Sequence, residues 1–85
     1  MNNNKNKIPE PVGHHNLILE DRKTMSLTGV TDIDNFDDKA IKLYTQLGEL
    51  VVQGRDLRVN ELNVETGSFT VEGDIWSLVY GDKKN

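Results

Sequence analysis

In the stretch ELVVQGRDLRVNELNVETGSFTVEG, residues 49–73, apolar side chains recur at every second position. They fall in pairs: Leu50 and Val52, Leu57 and Val59, Leu62 and Val64, Phe69 and Val71. Period two is the pattern of a strand that buries one face. Thr66-Gly67 stands between two of these runs and predicts a hairpin turn, because glycine tolerates positive φ. The pairs Leu57/Val59 and Leu62/Val64 differ in parity, so keeping both on the core side requires an extra residue at Asn60-Glu61, a β-bulge or bend. The stretch reads as a β-meander. It contains no His, Cys or Gly-rich phosphate loop, so it describes a surface that binds rather than one that reacts.

The 85 residues allow one domain at most. A domain this small buries only roughly 60% of the surface its unfolded chain exposes, and is marginal alone. There is no cysteine, so neither disulfides nor thiolate-bound zinc supplement the core. A second surface buried in a homo-oligomer is the remaining route to stability. The net charge of −4 and pI near 5.0 oppose binding to nucleic-acid phosphate or anionic lipid. No apolar run approaches the ~20 residues that span a bilayer. The polar N-terminus lacks the apolar segment of a secretory signal, which points to a cytoplasmic protein without membrane insertion.

Residues 1–14, rich in Asn and Lys with two prolines, read as a disordered polar arm. Residues 16–20, NLILE, and 24–28, TMSLT, read as a hairpin around a polar turn. Residues 30–39 are punctuated rather than periodic; Val30, Ile33 and Phe36 would pin a loop to the core. Residues 40–47 carry two patterns. As a strand, Ile41, Leu43, Thr45 and Leu47 share a face; as a helix, Phe36, Ala40, Leu43 and Leu47 do, with Gly48 at the C-cap. The β-rich Ile/Leu/Tyr/Thr run and its strand neighbours favour the strand. The last strand, 75–80, is apolar on both faces, with Trp76, Leu78 and Tyr80 on one and Ile75 and Val79 on the other. Such a strand is covered on both sides, by a second layer or by another subunit. Residues 81–85 form a polar tail. Three runs end alike, MSLTGV, LVVQGR and FTVEGD, so Gly29, Gly54 and Gly73 mark turns or close backbone approach.

Groups that could carry chemistry are few. Asp32, Asp34, Asp37 and Asp38 fail the calcium-loop pattern, which needs Gly at the sixth and Glu at the twelfth position; Asp37 and Leu43 stand there. They read better as turn caps. His14 and His15 have no second cluster to complete a metal site. Ser26, Ser68 and Ser77 lie in no nucleophile elbow. The expectation is a non-enzyme with no cofactor, no metal and no catalytic residue. Arg22 and Arg55 are placed in turns and Arg58 on an outward face, where arginines read equally as a solvated surface or as an interface with an acidic patch on a neighbouring subunit.

The ordered set His15-Asn16-Leu17, Asp21-Arg22-Lys23, Leu27-Thr28-Gly29-Val30, Ile33 and Phe36-Asp37 resembles the N-terminal half of the YabP/YqfC sporulation proteins. Thr45, Gly48, Leu50, Val52, Gly54, Leu57, Val59, Leu62, Val64-Glu65, Gly67, Val71, Gly73, Ile75 and Tyr80 resemble the second half. The likeness covers residues 15–80, and the HN…DRK…LTGV order favours the YabP branch. The resemblance implies a protein made in the mother cell of endospore-forming Firmicutes, in its cytoplasm or at the forespore surface. It also implies a part in coat or cortex formation without enzymatic activity. The short polar tail after Tyr80 departs from longer family members.

The expected fold is all-β: about seven short antiparallel strands in a small sandwich or partly rolled sheet. The expected core is Leu17, Leu19, Met25, Leu27, Ile33, Ile41, Leu43, Leu50, Val52, Leu57, Val59, Leu62, Val64, Phe69, Val71 and Ile75. The expected interface is Trp76, Leu78, Tyr80, Arg58, Arg55 and Tyr44, used for self-association or for other spore-envelope proteins. The competing expectation is a small-ligand or glycan-binding module in which Trp76, Tyr44 and Tyr80 stack on sugar rings.

Overall fold

The computed structural model describes residues 14–63 and 65–81. Val64, residues 1–13 of the expected arm and residues 82–85 of the expected tail lie outside them. The described chain forms six strands: β1 Leu17–Glu20, β2 Thr24–Leu27, β3 Val30–Phe36, β4 Ala40–Thr45, β5 Gly48–Asn63 and β6 Ser68–Tyr80. They make one open antiparallel sheet in the order β1-β2-β6-β5-β4-β3.

The hairpin of β5 and β6 organises the rest. Its strands run for 16 and 13 residues, against a usual length of about 5–6. β2 pairs only with the half of β6 nearest the turn, from Thr24↔Glu72 to Leu27↔Phe69. β4 pairs only with the far half of β5, from Ala40↔Gln53 to Thr45↔Gly48. Two half-sheets therefore share one hairpin, and the register between them shifts three times. Trp76 has no partner between Ser77 and Ile75, Asp56 and Leu57 together face Gly73, and Asn60 has no partner between Val59 and Glu61. Each extra residue reverses the parity that faces inward. That is why Leu50 and Val52 and then Leu57 are buried on β5, and why the inward run of Phe69, Val71 and Ile75 on β6 is followed by Leu78.

The bend between the halves depends on two glycines. A Cβ on Gly54 would stand 1.9 Å from the carbonyl oxygen of Asp74. Gly73 has φ 140°, and a Cβ there would meet the Asp56 carbonyl at 2.6 Å. Bent this way, the sheet folds over one cluster. Met25, Leu27, Phe69 and Val71 come from one half, and Ile41, Leu43, Leu50, Val52 and Ile75 from the other. Each such burial stabilises by roughly 1.5–3 kcal/mol. The all-β, partly rolled sheet expected from the alternation is the fold observed.

Several details differ from the sequence reading. The strands number six because the runs beginning at Leu50, Leu57 and Leu62 lie on one bulged strand. Residues 30–36 are a strand rather than a loop, and Val30 belongs to the core. Residues 40–45 are the favoured strand, but Leu47 lies exposed in the turn that follows. Leu19 and Leu62 keep 37% and 44% of their surface, the first on an edge strand and the second beside the hairpin turn. Arg55 lies in β5, not in a turn. The unpartnered Trp76 also brings Leu78 to the inner face with Ile75, so the two-faced pattern of 75–80 arises from a bulge.

Candidate functional site

Trp76 is 59% exposed on the outer face of the sheet, where four segments meet. The β1–β2 turn approaches from one side. Asp21 and Arg22 have positive φ in that turn, and the Ile75 and Gly73 amides donate to the carbonyls of Arg22 and Lys23. The Arg22 guanidinium then donates to the Ile75 carbonyl at 3.1 Å and the Trp76 carbonyl at 2.7 Å. These bonds hold the bulge that presents the indole. From the other side the Gly54 amide donates to Lys39 and the Leu57 amide to Asp38, extending the ladder across the bend. Trp76 lines an open cleft of about 490 Å³ with Lys39, Ala40, Gln53, Gly54 and Arg55. The Ser77 hydroxyl donates to Gln53 beside it.

The arginines expected at an interface have partners within the chain. Arg55 pairs with Asp74 at 3.3 Å and Arg58 with Glu72 at 3.5 Å, with both guanidinium groups largely exposed. Lys23 also pairs with Asp74. Its hydrogen bond, then that of Arg55, holds the Asp74 carboxyl below the usual range. Tyr44 is at the outer face of β4 opposite Glu49. Beside it Lys42 pairs with Glu49 at 3.0 Å and Asp34 at 3.6 Å, and the Glu49 bond raises the Lys42 ammonium above its ordinary value. Leu78 is half-buried against the core rather than displayed.

Tyr80 lies on the other face, opposite the buried Leu50. Its hydroxyl is 2.6 Å from His15 Nε2, and the rings meet edge-on at 5.6 Å. His15 Nδ1 lies 2.7 Å from the Thr28 carbonyl, which can only accept, so Nδ1 carries a proton. In the neutral ring Nε2 accepts from Tyr80. Partial burial raises the Tyr80 phenol above its ordinary value. Trp76, Tyr44 and Tyr80 therefore form no single stacking platform. The His15 tie between the chain before β1 and the end of β6 escaped sequence reasoning, because nothing local signals a partner 65 residues away.

The acidic cluster behaves as turn chemistry. Asp37 accepts from the Lys39 and Ala40 amides at 2.8 and 2.9 Å, which lowers its carboxyl. Asp32 accepts from the Ile33 amide at 2.9 Å. Among the described residues no group of three or more His, Asp or Glu side chains could hold a metal. No helix among them is long and apolar enough to cross a membrane.

The sequence model of the YabP family matches residues 11–85. Spore protein YabP of Bacillus subtilis (strain 168) is 32% identical over 77 residues, which cover 91% of this chain and 74% of that protein.

Proposed function

Because this chain belongs to the YabP family, we propose that it is a non-catalytic structural protein of the developing spore. It acts in coat or cortex formation by associating with itself or with other envelope proteins. The name of its Bacillus subtilis relative supports a sporulation role. The assembly role rests on one observation: the protein's only tryptophan is displayed on the outer sheet face by a bulge that Arg22 holds in place. A large exposed aromatic set in a cleft rimmed by polar groups is the composition of an interface anchor. The serines favour the same reading. Ser68 is bonded by Thr66 and Ser77 donates to Gln53, while His15 is occupied by Thr28 and Tyr80. The mother-cell cytoplasm or the forespore surface is the proposed location.

Sedimentation equilibrium over a hundredfold concentration range tests this. The parent should exceed monomer mass, and Trp76→Asp should lower that mass while its circular dichroism and melting stay those of the parent. An unchanged mass for Trp76→Asp would remove the indole from assembly. The cleft of Lys39, Gln53, Arg55 and Trp76 also suits a sugar ring stacked on the indole. A monomer whose Trp76 fluorescence shifts on titration with peptidoglycan fragments would favour that second reading.

A further inference from the structure

The two edges of the sheet are built differently. β3 carries two register shifts in seven residues, at Thr31 and Asp34. Its Ile33 amide is already bonded by the Asp32 carboxylate. A second copy laid along it would set Asp32 and Asp34 against the same carboxylates. Bulges and charge of this kind keep an edge from pairing. β1 has no bulge, and its one charged residue is Glu20, at its end. It reads LILE, pairs with β2 in unbroken register, and leaves Ile18 and Leu19 exposed.

The direction of its backbone groups follows from its pairing. The Thr28 amide donates to the Asn16 carbonyl, so Asn16/Thr28 is a hydrogen-bonded pair. Such pairs alternate along an antiparallel ladder. Ile18 and Glu20 therefore bond β2, while the amides and carbonyls of Leu17 and Leu19 point away from it. Among the described residues these groups have no partner.

We propose that β1 is the self-pairing edge: two copies join β1 to β1 in antiparallel fashion about a two-fold axis through Ile18. This deepens the proposal that the chain associates with itself and rests on it. The β1 contact is separate from the Trp76 cleft, which stays free in the β1 dimer for a further contact, so Trp76→Asp would lower a larger assembly to this dimer. Ile18 would face Ile18 of the second copy on the outer sheet surface. Leu17 would face Leu19 in hydrogen-bonded pairs on the inner surface. The flanking charges also fit this occupant. Glu20 would lie opposite Asn16, Asp21 opposite His15 and Arg22 opposite His14, so no carboxylate faces another. The product is a continuous twelve-stranded sheet, with the Trp76 clefts left free on its outer face.

The test compares the parent with Leu19→Pro, Ile18→Lys and Trp76→Asp by sedimentation equilibrium, alongside hydrogen exchange at high and low concentration. Proline at 19 removes an amide that bonds nothing within the described fold, and lysine at 18 sets like charges face to face on an exposed position. Both should raise the dimer dissociation constant at least tenfold and leave the monomer folded. In the parent, protection of the Leu17 and Leu19 amides should rise with concentration. A dimer unaffected by Leu19→Pro and Ile18→Lys but broken by Trp76→Asp overturns this edge and leaves the proposed function standing. A monomeric parent overturns both forms of self-association. Protection of those two amides that is independent of concentration overturns the proposal as well, since another segment of the same chain would then occupy the edge.

Discussion

Gly54→Ala is the sharpest probe of the bend. Its Cβ would stand 1.9 Å from the Asp74 carbonyl oxygen, where contacts under 3.0 Å essentially never occur, so the gap must open by 1.1 Å. The obstructing atom is backbone inside the β5–β6 ladder and cannot swing aside as a side chain would. Inserting a methyl into such a contact costs about 1–3 kcal/mol. Opening the ladder also weakens the bond from the Gly54 amide to the Lys39 carbonyl, now 2.9 Å, which contributes about 0.5–1.5 kcal/mol. The sum is about 1.5–4.5 kcal/mol, a large share of what holds together a domain of this size. In a domain of 60–100 residues each kcal/mol moves the melting temperature by about 4–8 °C. The expected fall is therefore about 6–36 °C. Gly81→Ala is the control, because its Cβ meets only the flexible Glu49 carboxylate, at 2.7 Å; it should melt with the parent. Thermal and urea unfolding followed by circular dichroism measure both. A Gly54→Ala variant that melts within about 2 °C of the parent would refute the steric account of the bend.

Arg22→Met should cost about 1–3 kcal/mol by leaving the Ile75 and Trp76 carbonyls without their charged donor, and should broaden Trp76 fluorescence; an unchanged urea midpoint would count against the clamp. Tyr80 favours its neutral form in the fold because its phenol is raised, so its contribution is fully present below the unfolded value and is lost as pH rises through the folded one. Tyr80→Phe should therefore flatten the fall in stability above about pH 10. Asp74 has the opposite sign. Its carboxyl is lowered by Lys23 and Arg55, so its contribution is present above the unfolded value, near pH 4, and is lost as pH falls through the folded value. Asp74→Asn should shallow the acid side of a urea-midpoint profile, and parallel profiles would contradict this.

The legible part of the fold was whatever the alternation could carry. The change of parity between Val59 and Leu62 predicts an extra residue at Asn60-Glu61, and Asn60 is that residue. The bulge at Trp76 was hidden because Ile75, Trp76, Leu78 and Val79 are all apolar, so a parity change among them leaves no trace. β3 was hidden for the converse reason: two register shifts in seven residues erase its period. Leu19 and Leu62 show that period gives a face but not a depth, since one sits on an edge and the other beside a turn. Of the residues assigned to an interface, Trp76, Tyr80, Tyr44, Arg55 and Arg58 lie at the surface, while Leu78 is partly withdrawn against the core. Arg22 is placed by the sequence in a turn, suited to solvent or an interface and not to a bond within the chain. Its bonds to Ile75 and Trp76 depend on a contact across more than fifty positions, which no local pattern encodes.

The shared hairpin also orders the search for the native state. β5 and β6 are joined by a short turn, and β4 leads into β5 through another, so those pairings close over few residues. The β2–β6 pairing must instead bring Thr24 to Glu72, closing a long loop whose entropy cost precedes any reward. β1 gains a neighbour only through β2. The half-sheet of β3, β4 and the far half of the hairpin can therefore form early, and the β1–β2 hairpin, itself closed by a short turn, joins last and carries the edge strand β1 with it.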